Sequence, residues 1–511
     1  MAWIVKQTWS NGVVFTTGAS ADAIDELAQL PQFHPALRGQ LIVFATSDGY
    51  GTFFPGGAYR ESLIDGWLKD TVPTQYNAVD SLVRNEEQPG RPWWDAVNGS
   101  MYYDHVTFPS IAWGGWYDIF QSGQFKQFKG YQYEAAPEAR GLARLVMDPC
   151  GHCQAAADLF PQDLVFGRVL LPILMAFDMM SNDDPQNKTW PPIPEGVKNV
   201  TLYVMGDDEG GAKGNYWTTL DALPEATDTD MYLGSAGALL PAPEASAAGK
   251  TYTYDPADPV KTIGGDNLLI PCGPLDQRPN EELNRQDLLL FTSEPLAEPL
   301  AVVGGVSAKI YFSTNVVDTD IVVKLIDVYP DNSTNKGERG ASILVLDGIA
   351  RAKWRHFPAS NDPALLSGDP ATTYEVVVDL WNTAYVFGAN HRVRVHVTSS
   401  NFNRFWPNPN TGLWMNETQG SKNITATTTI HFGGAAATAS HVTLPVVPLS
   451  ALPAFPVEEA VTSMLARHAP RWEANVRRRE EGDVDFKTWL MRRLEKVWRT
   501  VQRSLAPVAS E

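Results

Sequence analysis

The chain has 511 residues, 44% of them hydrophobic and 19% charged, with 16 tryptophans and a formal net charge of −19. That length buries several cores, so more than one domain is expected, and the acidic balance argues against nucleic acid as the main partner. Three cysteines are too few for a disulfide framework in so long a chain, and no apolar run is long enough to span a bilayer.

Met1 to Trp9 reads as the end of an amphipathic helix, and Ser10-Asn11-Gly12 as a turn. The β-branched run from Val13 to Thr17 then predicts a buried strand. It ends in Gly18-Ala19-Ser20, and Ala21 to Leu27 turns helical. Strand, tight turn and helix with a serine at the apex is the pattern of a nucleophile elbow, although a small-residue turn after a buried strand is the plainer reading of the same residues. A second strand is expected at Leu41 to Ala45. Gly56 to Asp104 reads as an inserted cap, with helical spacing from Tyr59 to Leu68. Phe108 to Trp113 predicts a third strand, running into Gly114-Gly115-Trp116-Tyr117-Asp118, and Ile119 to Tyr131 a helix. Leu142 to Met147 predicts a fourth strand, ending in Asp148-Pro-Cys-Gly-His152, and Leu170 to Met180 a buried helix.

Strands alternating with helices predict a parallel α/β sheet, whose chemistry sits at the carboxyl ends of its strands. Ser20, Asp118 and His152 each follow such an end, in the chain order of α/β-hydrolases. Asp118 as a helix N-cap and His152 as a turn residue are the bland alternatives. On the His152 loop, Cys150-Gly-His-Cys153 spells a C-x-x-C redox motif. That reading needs a thioredoxin-like surround and leaves Ser20 and Asp118 without a role.

Beyond about Asp230 short β-rich segments recur: Leu288 to Thr292, Ser307 to Ser313, Asp320 to Val328, Ser342 to Asp347, Thr373 to Leu380 and His391 to Ser399. Behind the linker-like Gly234 to Lys250 they predict a separate all-β sandwich, a jelly roll. His391 and His396 would point to opposite faces of one strand, which argues against a shared metal ion. No phosphate loop or zinc-protease helix is present, and no cofactor is implied. From Phe486 to Leu505 an apolar stripe faces Lys487, Arg492, Arg493, Lys496, Arg499 and Arg503. Such a basic amphipathic helix contacts a membrane surface or, as the simpler reading, its own acidic domain.

With these residues laid out, the chain resembles the X-Pro dipeptidyl-peptidase and cocaine-esterase family of serine hydrolases. The resemblance rests on Gly115-Trp-Tyr-Asp-Ile-Phe120, Asp287-Leu-Leu-Leu-Phe-Thr-Ser-Glu-Pro-Leu296, Asp318-Thr-Asp320, and His391-Arg-Val-Arg394 running on to Asn408-Pro-Asn-Thr-Gly412. It implies Ser20 as nucleophile, Asp118 as orienting acid, His152 as base and the Ala21 amide as an oxyanion donor. It also implies Phe120, with Trp116 and Tyr117, as the substrate-binding aromatics. Ala21 and Ala23 depart from the family's usual aromatic and glycine, and Asp148-Pro-Cys-Gly-His152 departs from its usual histidine loop.

Relatives carry a segment ahead of Met1 with early strands and a second oxyanion group. The chain is therefore expected to be a truncated form, and loss of one such donor costs on the order of 10²–10³ in rate. The expected layout is a partial hydrolase core over 1–55 and 105–235, the cap over 56–104, the jelly roll over 236–450 and the helical tail over 451–511. A small ester or peptide is the expected substrate, with carboxylates in Gly56 to Asp104 as candidates to grip a free amino terminus. A non-catalytic binding glycoprotein built on the jelly roll, or thiol chemistry at Cys150 and Cys153, are the competing readings. Self-association into a homo-oligomer stays open, as does localisation: sequons at Asn98, Asn187, Asn199, Asn332, Asn416 and Asn423 suggest a secretory route, but no signal peptide begins the chain.

Overall fold

The structure, a computed structural model, describes residues 1–95, 98–152, 170–181, 196–207, 213–333, 339–418 and 422–476. Four parallel strands lead the chain: β1 (Val14–Ala19), β2 (Leu37–Val43), β3 (Ser110–Tyr117) and β4 (Ala143–Gly151). β5 (Val200–Gly206) continues them in parallel and β6 (Tyr216–Leu220) pairs antiparallel to β5. β2 to β5 are buried almost throughout, which is why they read as continuous apolar runs rather than alternating ones. The helix α1 (Ala21–Ala28) follows β1 and turns Ala23 and Leu27 inward. α2 (Gly49–Phe53) leaves the end of β2 and leads into a cap made of α3 (Glu61–Thr71), α4 (Tyr76–Asn85) and the short α5 (Pro92–Asp95). The cap has its own core, in which Tyr59, Ile64, Leu68, Val83 and Trp94 pack together with Met415 from far along the chain.

After β3 comes α6 (Gln121–Tyr133), and α7 (Leu171–Met180) is the apolar helix expected there. The β-rich half begins with β7 (Thr227–Leu233), β8 (Leu239–Leu240) and β9 (Ala248–Tyr254), followed by the short α8 (Arg278–Glu281). β10 (Leu289–Thr292), β11 (Leu300–Thr314), β12 (Asp320–Val328), β13 (Ser342–Arg351), β14 (Tyr374–Phe387), β15 (Arg392–Thr398), β16 (Ala426–Phe432) and β17 (His441–Val447) complete it. β10, β15, β12 and β13 form a four-stranded sheet of their own. Phe291 on that sheet meets Phe432 on β16 edge-on, with ring centroids 5.9 Å apart, joining the layers.

The β-rich half is joined to the parallel sheet by a short pairing of β14 with β5, Tyr385–Met205 and Val386–Gly206, and two smaller sequence expectations change. One 13-stranded sheet thus runs from β1 through β5 into β14, β11, β17, β7 and β8. The linker-like Gly234 to Lys250 contains β8 and the start of β9 rather than a free connection. Met1 to Trp9 holds only a single turn of 3₁₀ helix at Ile4–Lys6 with no buried residue; Trp3 and Trp9 are exposed and pair with each other edge-on, while Met1 packs partly against the main core.

The chain ends, as described, in α9 (Val457–Val476), whose Ala460, Val461, Met464 and Leu465 are buried. Arg467 and His468 reach Asp178 on α7 at 3.2 and 3.0 Å. The basic helix expected at Phe486 to Leu505 lies outside the described residues. No described helix is long and apolar enough to cross a membrane.

Candidate active site

The turn between β1 and α1 decides where Ser20 sits. Its backbone lies at φ 58°, ψ −122°, a strained region for a residue with a side chain. The strain is held by neighbours: Ser20 N–H donates to the Val43 carbonyl at 2.9 Å. The Ser20 carbonyl accepts from Ala23 and Ile24 at 3.1 and 3.0 Å, which starts the helix. Gly18 has no room for a side chain, because a Cβ there would lie 2.6 Å from the Asp22 carbonyl carbon and 2.7 Å from Ala23 N. At Ala23, where the resemblance implies glycine, the methyl is accommodated and fully buried. Ala21 is the first helical residue, so its amide is one of the first-turn donors with no partner inside the helix.

Three strand ends converge here. His152 follows β4 directly, and its Nε2 lies 2.8 Å from Ser20 Oγ. Its Nδ1 lies 2.6 Å from Asp118 Oδ2, just past β3. The other carboxylate oxygen, Oδ1, accepts the Phe120 amide at 2.7 Å, so the acid is fixed by its own turn. With the carboxylate holding a proton on Nδ1, Nε2 is left as an acceptor for the Ser20 hydroxyl. Asp118 and His152 are buried, while Ser20 is half-buried. The imidazole sits between two aromatic edges, Phe120 at 5.1 Å and Phe44 at 5.9 Å between ring centroids. Phe44 was not legible as a site residue. It follows β2 at φ 48°, tied to the Trp113 carbonyl, and only this backbone turn brings its ring to the histidine.

Ser20 opens into a cavity of about 360 Å³. Ala21, Ile24 and Asp25 form its floor, Ile119 and Phe120 one side, and Leu63, Ile64, Trp67, Leu68, Val79, Val83 and Trp93 of the cap its roof. The cap residues carry a sequence signal: apolar side chains at four positions between 63 and 68 make a stripe wider than one packing face needs. Leu268 carries none, because it arrives from a loop between β9 and β10. Trp116 and Tyr117 do not line this cavity. Both lie in β3 with their side chains in the core, Trp116 Nε1 donating to the Tyr203 carbonyl at 2.8 Å and Tyr117 Oη to the Leu344 carbonyl at 3.3 Å. Adjacent on the strand, they point to opposite faces of a sheet covered on both, and Phe120, beyond the strand's end, reaches the cavity.

The carboxylates expected to meet a free amino terminus are engaged elsewhere. Asp80 is bonded by Tyr59 and Arg84, Asp65 by Tyr76, and no described carboxylate of the stretch from Gly56 to Asp104 lines the cavity. Asp25, exposed at the rim, is the one acidic lining residue described.

Cys150 is fully buried inside β4, because that strand runs on to Gly151 instead of ending at Met147. It therefore sits within a strand rather than on a turn, and Cys153 lies outside the described residues. His391 and His396 have separate partners: His391 Nδ1 lies 2.8 Å from Asp327, and His396 Nε2 2.8 Å from Glu281. No cluster of potential metal ligands occurs among the described residues. The Asp318-Thr-Asp320 motif is architectural. Arg351 grips Asp320 through both oxygens at 2.8 and 2.9 Å, and Asn408 Nδ2 bridges Asp318 and Asp320 at 3.1 and 2.8 Å.

Comparison with known proteins meets this geometry at both ends of the chain. Residues 1–88 match the model of the X-Pro dipeptidyl-peptidase (S15) family, and residues 195–441 match that of the X-Pro dipeptidyl-peptidase C-terminal non-catalytic domain. The fold is that of an aminopeptidase from the marine sediment archaeon Thaumarchaeota archaeon (TM-score 0.71, 24% identity, 88% of this chain and 79% of that one). It is equally that of an α-amino acid ester hydrolase (TM-score 0.72, 22% identity, 87% and 79%). The cocaine esterase of Rhodococcus sp. (strain MB1 Bresler) is 30% identical over 504 residues, covering 88% of this chain and 83% of its own length. A match of that extent, carried across the elbow, the cap and the β-rich half alike, shows that the chain belongs to the X-Pro dipeptidyl-peptidase and cocaine-esterase family of hydrolases.

Proposed function

We propose that the protein is a serine esterase that transfers an uncharged, apolar acyl group to water. The observation that carries this is the hydrogen-bonded chain Ser20–His152–Asp118 opening directly into the apolar cavity. His152 Nε2 takes the Ser20 proton as Oγ attacks the ester carbonyl, and Asp118 stabilises the imidazolium that forms. The negative charge on the carbonyl oxygen develops near the Ala21 amide at the start of α1, a donor with no competing partner in the helix. Collapse of the tetrahedral species expels the alcohol, which receives the proton from His152. Water, deprotonated by the same nitrogen, then attacks the acyl-serine and restores the hydroxyl.

The cavity favours an ester with an apolar acyl group over a peptide with a free amino terminus. A buried ammonium group needs a carboxylate, and the described residues of the cap offer the cavity none. The test joins fluorophosphonate labelling to substrate scope. Labelling should vanish in Ser20→Ala and His152→Ala, and p-nitrophenyl esters of apolar acids should turn over faster than aminoacyl esters or X-Pro p-nitroanilides. Faster cleavage of the X-Pro amides would make the protein a peptidase. Absence of labelling in a folded wild-type chain would leave the binding-protein reading in its place.

A further inference from the structure

Arg60 immediately precedes α3, and its side chain is only 1% exposed. Nη1 donates to the Ile119 carbonyl at 2.8 Å, and Nη2 donates to the Asp266 carbonyl. The guanidinium lies over the Trp381 ring, 5.3 Å from its centroid. Each carbonyl belongs to a segment that forms the site. Ile119 joins Asp118, the partner of His152, to Phe120, the aromatic against its ring. Asp266 opens the loop that carries Leu268 into the cavity. That loop is closed by reciprocal backbone bonds between Gly265 and Gly273 at 2.9 and 3.0 Å. Asn267 Nδ2 braces it from inside, to the carbonyls of Gly264 and Pro271.

A buried cation is costly, and among the described residues this one has no carboxylate paired with it. The nearby acids are already taken: Arg404 pairs with Asp347 and, at 3.3 Å, with Asp266. Burial, and then the Arg404 charge, push the Arg60 guanidinium down to about 9. A site that asked only for filled volume would be served better by Leu or Met. What the guanidinium adds is a rigid planar fork that holds two carbonyls from different segments at one fixed separation. Lysine could reach one of them and keep the charge, but not bridge both through a planar fork.

We propose that Arg60 is a positioning residue, which fixes the Asp118 turn against His152 and the Leu268 wall against the acyl group through one fork. The proposal rests on the esterase reading above. The fork is supplied by the cap, so the acid turn and the acyl pocket are aligned only when the cap is docked. A displaced Ile119 peptide would carry the Phe120 amide with it, and Asp118 Oδ1 would lose the bond that orients the carboxylate.

Arg60→Lys and Arg60→Met, each in the full chain, test this. Active sites are counted by titration with a fluorophosphonate, and kcat per titrated site is compared with KM on a short-chain p-nitrophenyl ester. Misplacement of the acid turn should lower kcat per titrated site by about 10- to 100-fold in Arg60→Met, with KM changed by less than about threefold. Arg60→Lys should fall between the two. A merely structural arginine would lower the melting temperature and the number of titratable sites, but leave each surviving site at full speed. The proposal is overturned if kcat per site stays within about twofold of wild type in the Lys variant. That variant decides the matter alone if Arg60→Met does not fold. Failure of the wild-type chain itself to label overturns the esterase reading and this proposal with it, whereas a labelled wild type with unimpaired variant sites overturns the Arg60 proposal only.

Discussion

Phe120 stands edge-on to His152, with ring centroids 5.1 Å apart and planes at 89°, while its own amide is bonded to Asp118 Oδ1. One residue thus braces both halves of the acid–imidazole pair and also lines the cavity. Replacing it by alanine leaves the amide bond in place and removes only the ring. Phe120→Ala should therefore keep fluorophosphonate labelling but slow it, and should shift the preferred p-nitrophenyl ester towards bulkier acyl groups. An unchanged acyl preference would mean that the acyl group lies elsewhere in the cavity.

Asp118 is an acceptor twice over, to His152 and to the Phe120 amide. Asp118→Asn keeps the shape but offers an amide where the imidazole needs a carboxylate, favouring the tautomer with its proton on Nε2. A loss of about 10⁴ in kcat is expected, with KM little changed and the melting temperature nearly preserved. Ester hydrolysis assayed across pH 6 to 10 would check it. A loss smaller than about tenfold would remove Asp118 from the catalytic assignment.

Glu26, on α1 beneath the elbow, is 5% exposed; Thr16 Oγ1 donates to one of its oxygens at 2.6 Å, and the other has no hydrogen-bond partner among the described residues. Burial pushes its carboxyl up from 4.5 to about 8. An acid that holds its proton longer in the folded chain than in the unfolded one makes stability fall as pH rises between those values. Glu26→Gln, permanently neutral, should match wild type near pH 4 and become the more stable chain by on the order of 1–4 kcal/mol above pH 8. Thermal melts over that range would show the two curves diverging with pH. Parallel curves would mean that Glu26 ionises freely in the fold.

The cap is fastened to the β-rich half by a buried ion pair. Lys353 contacts Glu87, and their side chains are 3% and 1% exposed. The second Glu87 oxygen accepts the Met415 amide at 2.7 Å, and Lys353 Nζ also donates to the Leu413 carbonyl at 3.0 Å. Glu87→Gln strands a buried ammonium and should cost about 3–5 kcal/mol. The double variant Glu87→Gln/Lys353→Met should be more stable than the sum of the two single losses. Additivity within about 0.5 kcal/mol in chemical denaturation would mean that the pair is not coupled.

Much of the fold could be read from local pattern. Val13 to Thr17 and Leu142 to Met147 are runs of branched or apolar residues too short for helices, and they became β1 and β4 within a few residues of their expected bounds. The elbow was legible because its chemistry is local: Gly18 must be small, and the residues around it are adjacent in sequence. The misreadings share a cause. The apolar character of Met1 to Trp9 made only one 3₁₀ turn, because Trp3 and Trp9 stay exposed against each other instead of sharing one helical face on the core. Gly234 to Lys250 looked like a linker because the strands that order it, β16 among them, lie far along the chain.

The sequence by itself determined the element types, the residue classes at three strand ends and the resemblance those residues carry, because strand and helix periodicity and turn chemistry act over a few neighbouring residues. Only the tertiary structure decided that Ser20, His152 and Asp118 meet at hydrogen-bonding distance. It alone brought Phe44, Leu268 and the cap around them, and turned Trp116 and Tyr117 into the core. Those outcomes depend on contacts between segments far apart in the chain, 34 residues for Asp118 and His152, 132 for Ser20 and His152 and 206 for Arg60 and Asp266, and no local preference encodes such distances.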